Sequence, residues 1–144
     1  MSLADDPFDL ERFVAAQDAA GSYDLAVGEL TGGRKTTHWM WFVFPQIAGL
    51  GHSATSRRFA IASPEEARAY LHHPVLGPRL IECTRIVAQL EGRSAEQIFG
   101  TIDAQKLRSS MTLFMRAEPD EPLFELVLDR FFEGVPDPAT DQRL

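Results

Sequence analysis

The stretch Gly32-Gly33-Arg34-Lys35-Thr36-Thr37 sets two cations beside a glycine pair and runs directly into His38. Free backbone N–H groups at a helix start, with cations close by, make a natural anion site. The same residues also suit a solvated helix–helix connection with a threonine cap. Gly28 and Gly33 have the separation of a phosphate-binding P-loop, but Arg34 stands where that motif requires lysine. The preceding element also reads as a helix, so a P-loop is rejected.

The next nine residues are His38-Trp39-Met40-Trp41-Phe42-Val43-Phe44-Pro45-Gln46. On a helix His38 and Trp41 share a face, as do Trp39 and Val43. A histidine beside aromatics can carry a proton while a ring stacks on a planar ligand. Tryptophans in such a run serve equally as core, with the histidine satisfied by a backbone carbonyl. Further on, Lys106, Ser109 and Ser110 lie three or four apart and can share one helix face, close to Asp103. A serine–lysine nucleophile pair needs an oxyanion loop that is absent here, so ligand contact or inter-helix hydrogen bonding is expected instead. His72 and His73, being adjacent, point about 100° apart on a helix and have no spaced acidic partner, so no metal site is expected. Cys83 falls on an apolar stripe and reads as a small core residue.

The elements that must position these residues are all helical by periodicity and punctuation. Asp6-Pro7 offers a cap and a first-turn proline, with Leu10, Phe13, Val14 and Gln17 following at helical spacing. Ser22 can cap a second helix that stops at Gly32-Gly33. The run 38–44 is apolar nearly all round and ends at Pro45, which predicts a short buried helix. Residues 45–62 read as a long loop. Ser63-Pro64-Glu65-Glu66 is a capping box, and Leu76, Leu80, Cys83, Val87 and Leu90 trace one stripe. Ser94 and Gln97 suggest a capped turn, Asp103 can cap the next helix, and Pro122 opens a last one stopped at Gly134. The expectation is an all-α fold, a single compact domain of about seven helices over 1–144, with its core in 7–134 and a C-terminal tail at 135–144. The runs 38–44 and 58–62 are the stretches that could instead be extended.

Totals bound the function. Net charge is −7, which argues against binding nucleic acid polymers, since these need many phosphate-neutralising cations. No apolar run approaches the roughly 20 residues that span a bilayer, and MSLADDPFDLERF lacks the pattern of a secretory signal. One cysteine allows no intrachain disulfide. A cytoplasmic protein is expected, with no membrane partner and no cofactor. Charge is unevenly spread: no acid lies between Glu29 and Glu65, while Arg34, Lys35, Arg57 and Arg58 fall inside, and eight acids from Glu118 onward face only Arg130 and Arg143. The acid-free stretch is expected to form the main electropositive patch unless the C-terminal acids cover it.

Three motifs together resemble an uncharacterised bacterial family, domain of unknown function eighteen-ten. They are Gly33-x-Lys35-x-Thr37-His38-Trp39-Met40-Trp41-Phe42-x-Phe44-Pro45-Gln46, then Tyr70-Leu71-x-His73-Pro74-Val75-Leu76-Gly77-x-Arg79-Leu80, then Ile98-Phe99-Gly100-x-x-Asp103-x-x-Lys106-x-x-Ser109-Ser110-Met111-Thr112-Leu113-Phe114. The resemblance runs from Phe13 to Phe132 and implies an all-helical domain with no established reaction. The name calpastatin, often given to members, belongs to a disordered, repeat-bearing inhibitor, whereas this chain has helix caps and no repeats. A fainter similarity is to the helical N-glycosidases that act on riboflavin precursors and ADP-ribosyl groups. That family sets a glutamate before its histidine, and this sequence has Thr37 there.

The reading that follows is a site for an anionic, nucleotide-like small molecule such as an ADP-ribose derivative. His38 and Lys35 are its candidate catalytic residues, as proton carrier and charge stabiliser. Arg34, Trp41, Gln46, Asp103, Lys106, Ser109 and Ser110 are its candidate ligand contacts. Binding alone and hydrolysis both remain open. The competing class is a protein-interaction module without catalysis, and convergence of His38, Gln46, Lys106 and Ser110 on one cleft would separate the two.

Overall fold

The fold is organised around one helix that is buried on nearly every side. The computed structural model describes residues 5–144; Met1–Ala4, part of the segment read for a secretory signal, lie outside the described residues. The elements are α1 (Glu11–Asp18), α2 (Ser22–Thr31), α3 (Met40–Val43), α4 (Ala54–Arg58), α5 (Pro64–His72), α6 (Leu76–Gln89), α7 (Ala95–Phe99), α8 (Thr101–Ala117), α9 (Leu123–Phe132) and α10 (Pro138–Asp141). Among the described residues there is no strand, so the fold is all-α. Helix α8 buries Leu107, Met111 and Phe114 together with Ser109, Ser110 and Thr112, and it packs against α5, α7, α9 and α10. A run of rings crosses the core from α1 to α9: Phe13 meets Tyr70 edge-on at 5.1 Å, Tyr70 meets Phe114 at 5.4 Å, and Phe114 meets Phe124 at 5.8 Å. Helix α6 begins so close to the end of α5 that a Cβ on Gly77 would stand 2.0 Å from the Leu71 carbonyl oxygen. Only glycine fits there.

Several local expectations hold with their stated chemistry. Ser94 and Gln97 form a reciprocal capping box on α7; at α5 only half of the expected box forms, with Ser63 Oγ accepting from the Glu66 N–H at 3.1 Å while Glu66 Oε1 accepts from the Ala62 N–H. The α6 stripe is buried through Leu76, Leu80, Cys83 and Val87, and burial pushes the Cys83 thiol up to about 12, the pKa of an unreactive core cysteine.

Other expectations are corrected. The 38–44 helix is only Met40–Val43, and His38 lies outside it. Its end is set by Pro45, which disfavours helical geometry at Phe44 (φ −124°, ψ 74°). Residues 45–62 are not a plain loop: α4 lies within them, and Ile47 and Ile61 form a parallel bridge through Ala48 N to Ile61 O and Ile61 N to Gln46 O, both 2.8 Å. Ser22 does not cap α2, since its hydroxyl donates back to the Ala19 carbonyl. Asp6 accepts from the Leu10 and Glu11 N–H groups, so the first helix begins at Glu11. Asp103 lies in the first turn of α8 instead of capping it.

The segment expected as a tail returns to the body. Asp137 is buried and accepts from Ser109 Oγ (2.9 Å), Thr140 Oγ1 (2.6 Å) and Gln105 Nε2 (3.2 Å), while its own N–H donates to Thr112 Oγ1. Arg108 donates to the Val135 and Pro136 carbonyls, and Arg116 pairs with Asp141 at 3.0 Å. These C-terminal acids therefore dock on α8 and not on the basic 34–58 stretch.

Candidate functional site

Helix α2 ends in a turn that sends the chain toward α7. Gly33, at φ 75°, donates to the Leu30 carbonyl, and the Arg34 N–H reaches back to Glu29 O at 3.0 Å. The Lys35 N–H then donates to Ile98 O at 2.8 Å, fixing the segment beside α7. The next two N–H groups, of Thr36 and Thr37, donate to Glu29 Oε1 at 2.7 and 3.0 Å. Thr37 Oγ1 donates to Glu29 Oε2 at 2.6 Å, and the Trp39 indole N–H donates to Oε1 at 3.0 Å. The backbone anion site expected from Gly32 to His38 thus exists, but an internal carboxylate fills it. Burial alone would raise the Glu29 pKa; the four hydrogen bonds outweigh it and hold the carboxyl at about 2. Glu29 is accordingly an anchor, and the expectation of free N–H groups there is corrected.

The side chain of Lys35 crosses to α8. Its Nζ lies 2.8 Å from Asp103 Oδ2, donates to the Thr37 carbonyl, and sits 5.0 Å from the centre of the Trp39 ring. The other Asp103 oxygen is 3.4 Å from Lys106 Nζ, which in turn lies 4.7 Å from the centre of Trp41. One carboxylate therefore bridges two ammonium groups drawn from distant parts of the chain, leaving one net positive charge. Lys35 is only 6% exposed and Lys106 21%.

A groove of about 450 Å³ opens beside this cluster, lined by Lys35, His38, Trp41, Phe99, Gly100 and the first residues of α8, Thr101 to Asp103. No side chain caps α8. Its first-turn N–H groups have no intrahelical partner, so the positive end of a 17-residue helix faces the groove. Trp41 also lines a second, more enclosed cavity of about 260 Å³ with Gln46, Arg57 and Phe59.

The nine candidate residues divide accordingly. Lys35, His38, Trp41 and Asp103 line the groove, and Lys106 adjoins it through Asp103 and Trp41. Gln46 lies in the neighbouring cavity. Arg34 is exposed and lines neither. Ser109 belongs to the C-terminal dock through Asp137, and Ser110 is fully buried in α8 with its hydroxyl unpartnered among the described residues. Both serines lie apart from the groove, because α8 turns that face inward. No cluster of His, Cys, Asp and Glu fit to hold a metal occurs among the described residues.

Three positioning residues escaped the sequence reading. Glu29 is one; its only signal is to be the last acid before the acid-free stretch. Arg12 and Glu66 are the others. The Arg12 guanidinium donates to the Arg58 and Ala60 carbonyls and to Glu66 Oε2, all at 2.8 Å, and Glu66 Oε1 accepts from the Ala62 N–H. Together they fix the 58–62 segment that walls the second cavity.

Residues 7–144 match the model of a family described as a protein of unknown function, DUF1810. The chain is similar to the crystal structure of the conserved hypothetical protein Rv1873 from Mycobacterium tuberculosis, with 54% identity and a TM-score of 0.93 over 96% of this chain and 97% of that one. No curated protein matches. No helix among the described residues is long and apolar enough to cross a membrane.

Proposed function

Given that the chain belongs to the DUF1810 family, whose description assigns no reaction, we propose that the groove beside α8 binds an anionic, nucleotide-like small molecule. The observation that carries this reading is the Lys35–Asp103–Lys106 bridge at a helix N-terminus. Two ammonium groups, one carboxylate and uncapped N–H groups leave a local excess of positive charge in a protein of net charge −7. Trp41 and Phe99 supply flat apolar surface beside that charge, which is what a phosphate-bearing ring compound requires. A concave site with tucked, paired lysines also suits a small ligand better than a protein partner, whose docking face needs no such pocket.

If the bound molecule is cleaved, hydrolysis at a phosphate ester or N-glycosidic bond fits these residues. His38 lines the groove as the proton carrier, and Lys35 stabilises negative charge on the leaving group. Glu29 is unsuited to act as a base, because all its nearby donors are already bound. Asp103 serves to hold both lysines in register.

Thermal-shift titration with ADP-ribose, ADP and inorganic pyrophosphate tests the proposal. A ligand at a hundred times its Kd adds about 2.7 kcal/mol to stability. His38→Ala and Lys106→Ala should fold and lose that shift. Folded variants that keep the full shift would place the ligand elsewhere and overturn the proposal.

A further inference from the structure

The second cavity, more enclosed than the adjoining groove, has an unusual polar inventory. Gln46 is half-buried, and its side-chain amide makes no hydrogen bond among the described residues, although its backbone carbonyl is used by Ile61. Arg57 lines the same cavity, and no partner of its guanidinium occurs among the described residues. Trp41, Ile47 and Phe59 supply its apolar and aromatic walls, and Ser56 adds a hydroxyl. Those walls are stiff. Phe59 packs against Phe13 and Phe42 at 5.7 and 5.5 Å, and the Arg12–Glu66 pair fixes the backbone on either side of it. The roof is equally close-fitting, since a Cβ on Gly51 would meet the Ser56 side chain at 2.5 Å.

A stiff cavity with aromatic walls and one free carboxamide is complementary to a flat ring with an amide edge. The Gln46 carboxamide offers a donor and an acceptor side by side, the pattern that pairs with an N–H next to a C=O. The volume of about 260 Å³ exceeds the roughly 150 Å³ that accommodates benzene and so admits a one- or two-ring heterocycle. Arg57 sets a cation beside an anionic substituent on that ring. Trp41 lines both this cavity and the groove, so a ring here can carry its charged remainder to Lys35 and Lys106.

We infer that the Gln46–Arg57 cavity is a subsite for an amide-edged heterocycle of nucleobase size, adjoining the anion-binding groove across Trp41. This inference rests on the groove reading only for the charged remainder; the ring subsite stands by itself.

The test is to titrate the protein with uracil, with UMP and with inorganic pyrophosphate, following tryptophan fluorescence. Wild type, Gln46→Leu and Ala48→Leu are compared, the first variant removing the amide and the second filling the cavity. Both should fold, weaken uracil and UMP about tenfold, and leave pyrophosphate unchanged. Folded variants with wild-type nucleotide affinity would overturn the inference, as would an equal loss of pyrophosphate. If pyrophosphate binds wild type while uracil adds nothing to it, the ring subsite falls and the groove reading survives. If uracil binds and pyrophosphate does not, the groove reading falls and the ring subsite survives.

Discussion

Trp39 and Trp41 stand two residues apart in one aromatic run, yet they do opposite work. Trp39 is 1% exposed, its indole N–H is held by Glu29 at 3.0 Å, and Lys35 covers its ring. Trp41 is half-buried, its indole N–H is itself buried and has no partner among the described residues, and its ring lines two concavities beneath Lys106. The first belongs to an anchored side, where the backbone N–H groups of residues 34–37 and the indole N–H are all satisfied within the chain. The second belongs to an open side, where one carboxylate shared by two ammonium groups leaves an excess positive charge beside the groove. The difference teaches that an anion-binding pattern in sequence has two uses, and that a single glutamate one turn upstream decides which applies. The 33–37 segment is a built anion site filled from within, so its rigidity is what supports the groove next to it.

The comparison can be broken most forcefully at its anchor. Glu29→Ala strips the acceptor from Thr36, Thr37 and the buried Trp39 N–H, and should cost about 3 kcal/mol by urea denaturation. A loss under 0.5 kcal/mol would mean that the anchored side is not anchored by Glu29.

Lys35→Met should cost about 2 kcal/mol, because it leaves Asp103 with only the more exposed Lys106. Lys106→Met, on the open side, should change stability by less than about 0.5 kcal/mol. Equal costs for the two lysines would erase the distinction between the sides.

A pH titration sharpens the same point. The folded pKa of Glu29, about 2, lies below its ordinary value of 4.5, so its contribution is complete above pH 4.5 and is lost as pH falls toward 2. Glu29→Gln should flatten that part of the stability–pH curve. An unchanged acid limb in Glu29→Gln would assign the loss to other carboxylates. Smallest of all, Trp41→Phe should leave the melting temperature within about 2 °C of wild type, as a half-buried ring whose indole N–H makes no hydrogen bond permits.

Much of the helical frame was legible because its signals are local. Ser94 and Gln97 satisfy each other within one turn, and the α6 stripe needs only its own 3.6-residue period. The expected convergence of His38, Gln46, Lys106 and Ser110 on one cleft does not occur: His38 lines the groove, Lys106 only adjoins it through Asp103, Gln46 lies in the neighbouring cavity and Ser110 is buried in α8. Glu29 was not legible, because nothing in its neighbours says that its side chain folds back over a turn eight residues later. The same holds for Ser109. A serine on a helix face reads alike whether it meets a ligand or a buried aspartate, and only the return of the C-terminal segment put Asp137 there. The short α3 misled by its composition: six apolar or aromatic positions in a row, 39–44, promise a longer helix, but Glu29 holds one end of the run and Pro45 closes the other.

The central claim, that the open side is a binding site and the anchored side its support, is tested most directly by two-dimensional 1H–15N nuclear magnetic resonance of the two indole N–H signals. The spectrum is recorded while ADP-ribose is added, with each signal assigned by Trp39→Phe and Trp41→Phe. The account predicts that the Trp41 signal moves in a saturable manner while the Trp39 signal, tied to Glu29, stays fixed. A saturable shift of Trp39 with Trp41 unmoved, or no shift of either at millimolar ligand, would contradict it.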